Sequence, residues 1–188
     1  QTRAIRDTMK WYHRANKPAA NDLFGTWSYL QGIAGTGKTR IVTKEFLRNT
    51  ALQPDEVLAM ANNATSASNL KDALGLFIGL TVHDFLDDKG IPPKVKLIVV
   101  DEVNGLDMYN LTKLAEIIAQ ENTNRKAKDK IKVFSLGDPT QIQNEGSVFV
   151  PMNSSGVSQN NVTVIEPLTI PYRSDVAPIN EASSVFQF

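Results

Sequence analysis

The sequence has no cysteine, and this absence excludes both a disulfide framework and a metal site built on thiolates. Its two histidines, His13 and His83, lie too far apart in the chain to suggest a metal-binding pair. No apolar run approaches the roughly 20 residues that a membrane helix needs, and the first residues do not resemble a signal peptide. We therefore expect a soluble protein in a reducing cytoplasm, such as that of a bacterial or phage-infected cell.

An excess of charge of either sign is also missing. The 188 residues include 20 Lys plus Arg and 20 Asp plus Glu, so no global positive field attracts the chain to nucleic acid. Any contact with a polynucleotide must therefore be local. Hydrophobic residues make up 41% of the chain, which is enough for one substantial core, while the length is too short for two domains of the usual size.

Strand and helix patterns alternate along the sequence. The apolar run at 95–100, broken only by Lys96, is typical of a strand buried on both faces. This alternation predicts an α/β fold in which helices cover both faces of a parallel sheet. Strands are predicted at 27–30, 57–61, 95–100, 131–136 and 162–165, and helices around 5–12, 41–48, 70–74 and 111–118.

Residues 32–39, with the sequence GIAGTGKT, fit the P-loop pattern that binds nucleotide phosphates. A predicted strand precedes this segment and a predicted helix follows it, as the motif requires. Glycines let backbone N–H groups point at the phosphates, and the start of the helix adds its positive end. Lys38 would reach the β- and γ-phosphates of ATP, and the Thr39 hydroxyl would coordinate Mg²⁺. The predicted nucleotide-binding residues of this segment are Gly32, Gly35, Thr36, Gly37, Lys38 and Thr39.

Two adjacent carboxylates, Asp101 and Glu102, follow the buried strand. The carboxyl ends of parallel strands face the ligand crevice of an α/β sheet. We expect Asp101 to hold Mg²⁺, directly or through water, and Glu102 to polarise the water that attacks the γ-phosphate. Because a nucleoside kinase does not transfer phosphate to water, the second carboxylate favours ATP hydrolysis.

The segment 137–141, GDPTQ, follows the next predicted strand and is expected beside Asp101 on the same edge of the sheet. The amide of Gln141 can donate to a phosphate oxygen and accept from water, so we predict that it senses the γ-phosphate. Taken alone, the segment is explained equally well as a turn with an incidental glutamine.

In this order the three segments resemble motifs I, II and III of superfamily 1 helicases, and the resemblance extends over nearly the whole chain. Residues 168–174 (LTIPYRS) resemble motif IV of the same family. The resemblance implies a RecA-like fold in which Arg173 contacts the γ-phosphate and Tyr172 packs near the adenine. Gln1 resembles the glutamine motif that reads the adenine edge.

Two further segments resemble motifs Ia and Ib, which contact DNA in this family: 61–64 (ANNA) and 81–85 (TVHDF). Amide side chains at strand ends can approach a phosphodiester backbone closely, and an imidazole or phenyl ring can stack on a base. Two alternatives stay open, because the asparagines can cap the following helix and the phenylalanine can be a core residue. The predicted nucleic-acid contacts are Asn62, Asn63, Thr81, His83 and Phe85.

The resemblance also divides the chain into two parts. Residues 1–166 are expected to form the ATP-binding lobe, and 167–188 to carry motif IV and the start of a truncated second RecA-like lobe. Because that second lobe closes the nucleotide site in the family, we expect the chain alone to hydrolyse Mg-ATP slowly. The short segment 86–93 leaves little room for the hairpin with which some relatives separate strands.

The run 173–179 (RSDVAPI) looks most like the Dda-type and RecD-like helicases, which move 5′ to 3′. Single-stranded DNA is therefore the favoured partner. Viral superfamily 1 RNA helicases share similar motifs, so RNA stays open as the substrate. Two further alternatives are another P-loop enzyme, such as a stand-alone ATPase or a nucleotide kinase, and a binding module without motor activity.

Overall fold

The structure is a computed structural model that describes residues 1–14, 22–88, 90–138, 140 and 162–170. Its strands form one sheet in which every pair of neighbours is parallel. The strands are β1 (Trp27–Gly32), β2 (Val57–Ala61), β3 (Gly79–Thr81), β4 (Leu97–Val100), β5 (Lys132–Gly137) and β6 (Thr163–Leu168). Their order across the sheet is β3-β2-β4-β5-β1-β6.

Helices cover both faces of this sheet, as the sequence predicts. They are α1 (Thr2–His13), α2 (Lys44–Asn49), α3 (Ala64–Leu74), α4 (Val82–Asp88) and α5 (Met108–Thr123). The helices α1, α2 and α3 contribute to one core, while α4 and α5 contribute to the other. Among the described residues, no helix is both long and apolar enough to cross a membrane.

The two cores result from the alternation of side chains along each strand. In β2, Leu58 and Met60 pack with α4 and α5, whereas Val57 and Ala59 pack on the opposite face. The strand β4 alternates in the same way, with Ile98 and Val100 on one face and Leu97 and Val99 on the other, which explains why its sequence is continuously apolar. Each large apolar side chain that is buried in this way contributes about 1.5–3 kcal/mol to folding.

Three details differ from the sequence prediction. The strand expected from residue 95 begins at Leu97, because the backbone N–H of Val95 donates to the carbonyl of Pro92 in a turn. The short strand β3 and the helix α4 were not predicted. The last strand, β6, ends at Leu168, two residues past the predicted lobe boundary at residue 166.

The C-terminal end of α1 is attached to the sheet by Lys132, the first residue of β5. Its ammonium group donates to the backbone carbonyls of Trp11 (3.2 Å), Tyr12 and Arg14 (2.9 Å). The last carbonyls of a helix have no N–H partner in a following turn, and Lys132 supplies a donor to those of Tyr12 and Arg14. The carbonyl of Trp11 also accepts from the Arg14 N–H at 3.1 Å. Burial lowers the pKa of Lys132 to about 8.

Candidate active site

The carboxyl ends of the parallel strands bring the predicted site residues to one edge of the sheet. The P-loop follows β1, the carboxylate pair follows β4, and Asp138 follows β5, which lies between those two strands. These three segments line one cleft of about 830 Å³ together with α3. The predicted placement of Asp138 beside Asp101 on the same sheet edge agrees with this order.

The P-loop turns tightly between β1 and the following helix. Gly35 and Gly37 have φ angles of 81° and 88°, a left-handed conformation that strains any residue with a side chain. The Thr36 hydroxyl donates to the carbonyl of Ile33 at 2.8 Å and closes the loop on itself. A Cβ atom on Gly32 would lie 2.6 Å from that hydroxyl oxygen, so the compact loop also requires glycine at this position.

Lys38 and Thr39 begin a π-helical turn, Lys38–Thr43, that continues into α2. The ammonium group of Lys38 donates to the backbone carbonyls of Gly32 and Ile33, the latter at 3.1 Å. The Thr39 hydroxyl donates to Oδ2 of Asp101 at 3.3 Å, across 62 residues of sequence. The two predicted Mg²⁺ ligands are therefore neighbours in the fold.

The two carboxylates have different surroundings. Burial raises the pKa of Asp101, and this effect is opposed by the backbone N–H of Glu102 at 2.9 Å and by the Lys38 ammonium. Glu102 has left-handed backbone angles, φ 55° and ψ 37°, and its Oε2 accepts a hydrogen bond from the Ser66 hydroxyl at 3.1 Å. The Asp101 carboxylate therefore faces Thr39, whereas the Glu102 carboxylate contacts α3.

The donor set at this edge fits a magnesium ion. Mg²⁺ prefers oxygen ligands and is commonly held by one or two protein oxygens together with nucleotide phosphates. Thr39 supplies a hydroxyl oxygen and Asp101 a carboxylate oxygen. A partly buried carboxylate whose pKa burial raises also gains from a cation beside it.

A second cavity of about 300 Å³ adjoins the P-loop on the side of α1. Gln1 lines it, and the Gln1 side-chain amide donates to the carbonyl of Thr36 at 3.1 Å. The end of β6 forms the opposite wall through Leu168 and Thr169. The structure thus brings Gln1 next to the phosphate-binding loop, and its role at the adenine edge stays a prediction.

One buried contact near the site was not foreseen from the sequence. The hydroxyl of Tyr29 on β1 donates to Oδ1 of Asn104 at 3.0 Å, and burial raises the pKa of Tyr29 to about 12. A Cβ on Gly137 would lie only 1.9 Å from that same oxygen. The glycine of the GDPTQ segment is therefore needed for close packing, and the contact joins β1, β5 and the loop after Glu102.

The residues predicted to contact nucleic acid fall into two groups. One group lies on the same edge as the cleft: Asn62 and Asn63 follow β2, Thr81 is the last residue of β3, and His83 is in the first turn of α4. Asn62 donates to the carbonyl of Gly105, 43 residues away, at 3.1 Å. Two of the residues make local hydrogen bonds: Asn63 caps α3 by accepting from the Ser66 N–H, and Thr81 accepts from the Asp84 N–H. His83 is exposed.

Phe85 corrects the prediction. It is only 1% exposed and packs in the core between the sheet, α4 and α5, so its ring cannot stack on a base in this fold. The core alternative is the right one for this residue. Gln141, Tyr172 and Arg173 lie outside the described residues, and their predicted roles stay predictions.

We compared the chain with known protein families and with curated protein sequences. A family model described as an AAA domain matches residues 19–165. No curated protein sequence matches the chain.

Solved structures of Pif1 helicases share the fold. Bacteroides Pif1 bound to ssDNA matches with a TM-score of 0.60 at 15% identity, over 95% of this chain and 44% of that one. Bacteroides sp Pif1 in complex with ADP-AlF4 matches at 0.59 and 14% identity, over 94% and 43%. Pif1 helicase from Candida albicans matches at 0.52 and 21% identity, over 77% and 36%. The likeness confirms the predicted RecA-like fold, and the chain spans less than half the length of these structures.

Proposed function

Since the chain belongs to this AAA-domain family, we propose that it binds and hydrolyses ATP as one lobe of a nucleic-acid motor. The observation that carries the proposal is the contact between Thr39 and Asp101, with Lys38 and Glu102 lining the same cleft. A module that only binds nucleotide has no use for a water-polarising carboxylate beside the magnesium ligands. The set of four residues therefore supports hydrolysis.

Each residue has a separate task in the proposed reaction. The P-loop backbone and Lys38 bind the phosphates, and the Lys38 ammonium exchanges its two carbonyl partners for charged oxygens, which form stronger hydrogen bonds. Thr39 and Asp101 hold Mg²⁺, which would neutralise charge on the β- and γ-phosphates. Glu102 orients the attacking water and accepts its proton. Gln1 binds the adenine edge from the cavity beside Thr36.

A second lobe completes the site in this proposal. Residues beyond the end of β6 at Leu168 belong to its beginning, with Arg173 contacting the γ-phosphate, Tyr172 packing near the adenine, and Gln141 sensing the γ-phosphate from the first lobe. The chain corresponds to less than half of the similar solved structures, which supports this division. Because one wall of the cleft is then missing, the isolated chain hydrolyses ATP slowly.

The proposed partner is single-stranded DNA, along which the motor moves 5′ to 3′. A similar solved structure is that of Bacteroides Pif1 bound to ssDNA. Between α4 and β4 the described residues, 90–96, contain no strand that could form a separating hairpin. We therefore propose translocation on a single strand in the cytoplasm, with Asn62, Asn63, Thr81 and His83 as the contacts.

The test is the ATPase rate of the complete protein with single-stranded DNA, with RNA and with neither, at several salt concentrations. We expect DNA to raise the rate, and the stimulation to weaken as salt rises because phosphate contacts release counterions. Stimulation by RNA alone would identify the RNA alternative. A nucleotide kinase would transfer the phosphate to an acceptor without releasing it.

Two controls make the result specific. Lys38→Ala removes the phosphate-binding cation and should abolish hydrolysis, while chelation of Mg²⁺ should do the same in the unchanged protein. A binding module would behave differently. The unchanged protein would hydrolyse no ATP, and polynucleotide would bind without ATP in both the unchanged protein and Lys38→Ala.

A further inference from the structure

The loop that follows Asp101 begins with a strained residue. Glu102 has backbone angles of φ 55° and ψ 37°, a left-handed conformation that is unfavourable for a residue with a Cβ. Its carbonyl accepts from the N–H of Gly105 at 2.9 Å, and the 3₁₀ turn Val103–Gly105 lies between them. A strained backbone persists where the surrounding structure holds it in place. The contacts of this turn therefore decide where the Glu102 carboxylate lies.

Contacts with several elements fix this turn. Val103 is completely buried in the core beside α4 and α5. Asn62, after β2, donates its side-chain amide to the carbonyl of Gly105 at 3.1 Å, but Asn62 is exposed and water competes for this bond. Asn104 is 4% exposed, and its Oδ1 accepts from the hydroxyl of Tyr29 at 3.0 Å. The bond from Tyr29 is therefore a polar contact of the turn that water does not easily replace.

Tyr29 offers a fixed point for this bond. It is 1% exposed on β1, a strand that is hydrogen-bonded to β5 on one side and to β6 on the other. The tyrosine ring lies against Gly137 of β5, where a Cβ atom would come within 2.5 Å of the tyrosine hydroxyl and 1.9 Å of Asn104 Oδ1. The hydroxyl group and the Asn104 side chain thus meet in a closely packed space at the carboxyl edge of the sheet.

We infer that Tyr29 is a positioning residue for ATP hydrolysis, which holds Glu102 at the cleft through its bond to Asn104. Without the hydroxyl, the turn can relax toward an ordinary backbone conformation, and the Glu102 carboxylate then loses the position from which it polarises water. Lys38 and the P-loop lie outside this turn, so phosphate binding does not require it. This inference rests on the proposed function, since it adds a residue to the same ATP site.

The experiment compares Tyr29→Phe with Ser135→Ala in the complete protein. Ser135 is buried on β5 and its hydroxyl donates to the carbonyl of Ser28 at 2.6 Å, so its variant also deletes a buried hydrogen bond between β1 and β5 but keeps the bond to Asn104. For Tyr29→Phe we expect the ATPase kcat to fall roughly fivefold, the effect of losing about one hydrogen bond, while the KM for ATP stays within about twofold. Ser135→Ala should leave both values within about twofold. A general loss of packing in the sheet would instead affect the two variants alike.

Two double variants test the route of the effect. Asn104→Leu removes the acceptor oxygen, so combining it with Tyr29→Phe should lower kcat no further than either change alone. A loss that adds up would contradict action through Asn104. In a Glu102→Gln background, Tyr29→Phe should give no further fall in kcat, and a further fall there contradicts action through Glu102.

A stability measurement follows the backbone itself. Glu102→Gly should unfold at a higher urea concentration than Glu102→Ala, because glycine adopts left-handed angles without strain. If Tyr29 enforces these angles, the gap between the two unfolding midpoints should shrink in a Tyr29→Phe background. A gap of the same size in both backgrounds overturns the inference.

The outcomes separate this inference from the proposed function. A kcat that is unchanged in Tyr29→Phe, or a fall that Ser135→Ala shares equally, overturns positioning by Tyr29 even if single-stranded DNA stimulates the unchanged protein. If the unchanged protein hydrolyses no ATP, the proposed function fails, and the gap between the glycine and alanine variants alone decides whether Tyr29 holds the Glu102 backbone.

Discussion

Glu102 has left-handed backbone angles, φ 55° and ψ 37°, and we predict that glycine at this position is more stable than alanine. Among the described residues other than glycine it is the one with a positive φ. Both substitutions remove the carboxylate and its bond to Ser66. The difference between the two variants therefore isolates the backbone.

The magnitude follows from two opposing effects. The left-handed conformation costs a residue with a Cβ about 1–2 kcal/mol, because the Cβ approaches the following carbonyl oxygen. Glycine loses about 0.4–1 kcal/mol more on folding, because its unfolded chain has more freedom. The net advantage of Glu102→Gly over Glu102→Ala is about 0.5–1 kcal/mol, or roughly 1–4 °C in melting temperature for a chain of this size.

The assay is urea denaturation of the two variants, followed by circular dichroism, with a matched pair at Ser68. Ser68 is exposed in the interior of α3, where glycine should be less stable than alanine by about 1 kcal/mol. The order of stability should therefore reverse between the two positions. If alanine is the more stable residue at both, Glu102 does not have left-handed backbone angles and this reasoning is refuted.

Three other substitutions give further tests. Burial raises the pKa of Asp101, so its carboxyl group holds a proton more tightly in the folded chain than in the unfolded chain. As the pH rises above the ordinary pKa of 3.8, ionisation of this carboxyl group therefore lowers the free energy of unfolding. Asp101→Asn should therefore raise the melting temperature in calorimetry at pH 7.5 without Mg²⁺, and should raise it much less near pH 4. An equal shift at both pH values would contradict the pKa direction. Gly137→Ala places a Cβ 1.9 Å from Asn104 Oδ1 and should lower the free energy of unfolding by about 1–3 kcal/mol in urea denaturation. An unfolding midpoint like that of the unchanged chain would mean that the Asn104 side chain moves away freely. Lys132→Met removes the side-chain donor to the carbonyls of Tyr12 and Arg14 and should lower the free energy of unfolding by about 1–3 kcal/mol in the same assay. An unchanged midpoint would show that water replaces the ammonium.

The central strands and the phosphate-binding residues could be predicted from sequence because their signals are local. A strand buried on both faces is a continuous apolar run, and β2 and β4 have this pattern. The P-loop is equally local, since its glycines, Lys38 and Thr39 lie within eight residues. Their positions at one sheet edge follow from the parallel arrangement alone.

Other elements have weak or misleading local signals. The strand β3 has three residues, all of them half-buried, so no apolar run marks it. In the helix α4, Val82 and Phe85 are buried and Leu86 is half-buried, and the other residues are His or Asp. A five-residue motif match carries no information about which side of a helix a residue faces, and this is why Phe85 was placed on the nucleic-acid surface although it belongs to the core.

Two side-chain contacts between distant segments could not be predicted from the sequence. The bond from Tyr29 to Asn104 joins residues 75 positions apart, and the bond from Ser66 to Glu102 joins residues 36 apart. Neither pair has a sequence pattern of its own, because each depends on the order of strands in the sheet. Serine and asparagine are also common in turns and at helix caps, so their presence alone indicates no partner.

The strand order has a consequence for how evenly the sheet resists local opening. The six-residue strand β1 is hydrogen-bonded on both sides, to β5 and β6, and leads into the P-loop. Among the described strands, the three-residue strand β3 lies at the margin of the sheet and is bonded to β2 alone, and it ends at Thr81. Amide hydrogens of β1 should therefore exchange with solvent deuterium far more slowly than those of β3. Nucleotide would then bind beside β1, where the backbone amides are well protected from exchange. The proposed polynucleotide contacts would extend to β3, where the backbone opens more readily.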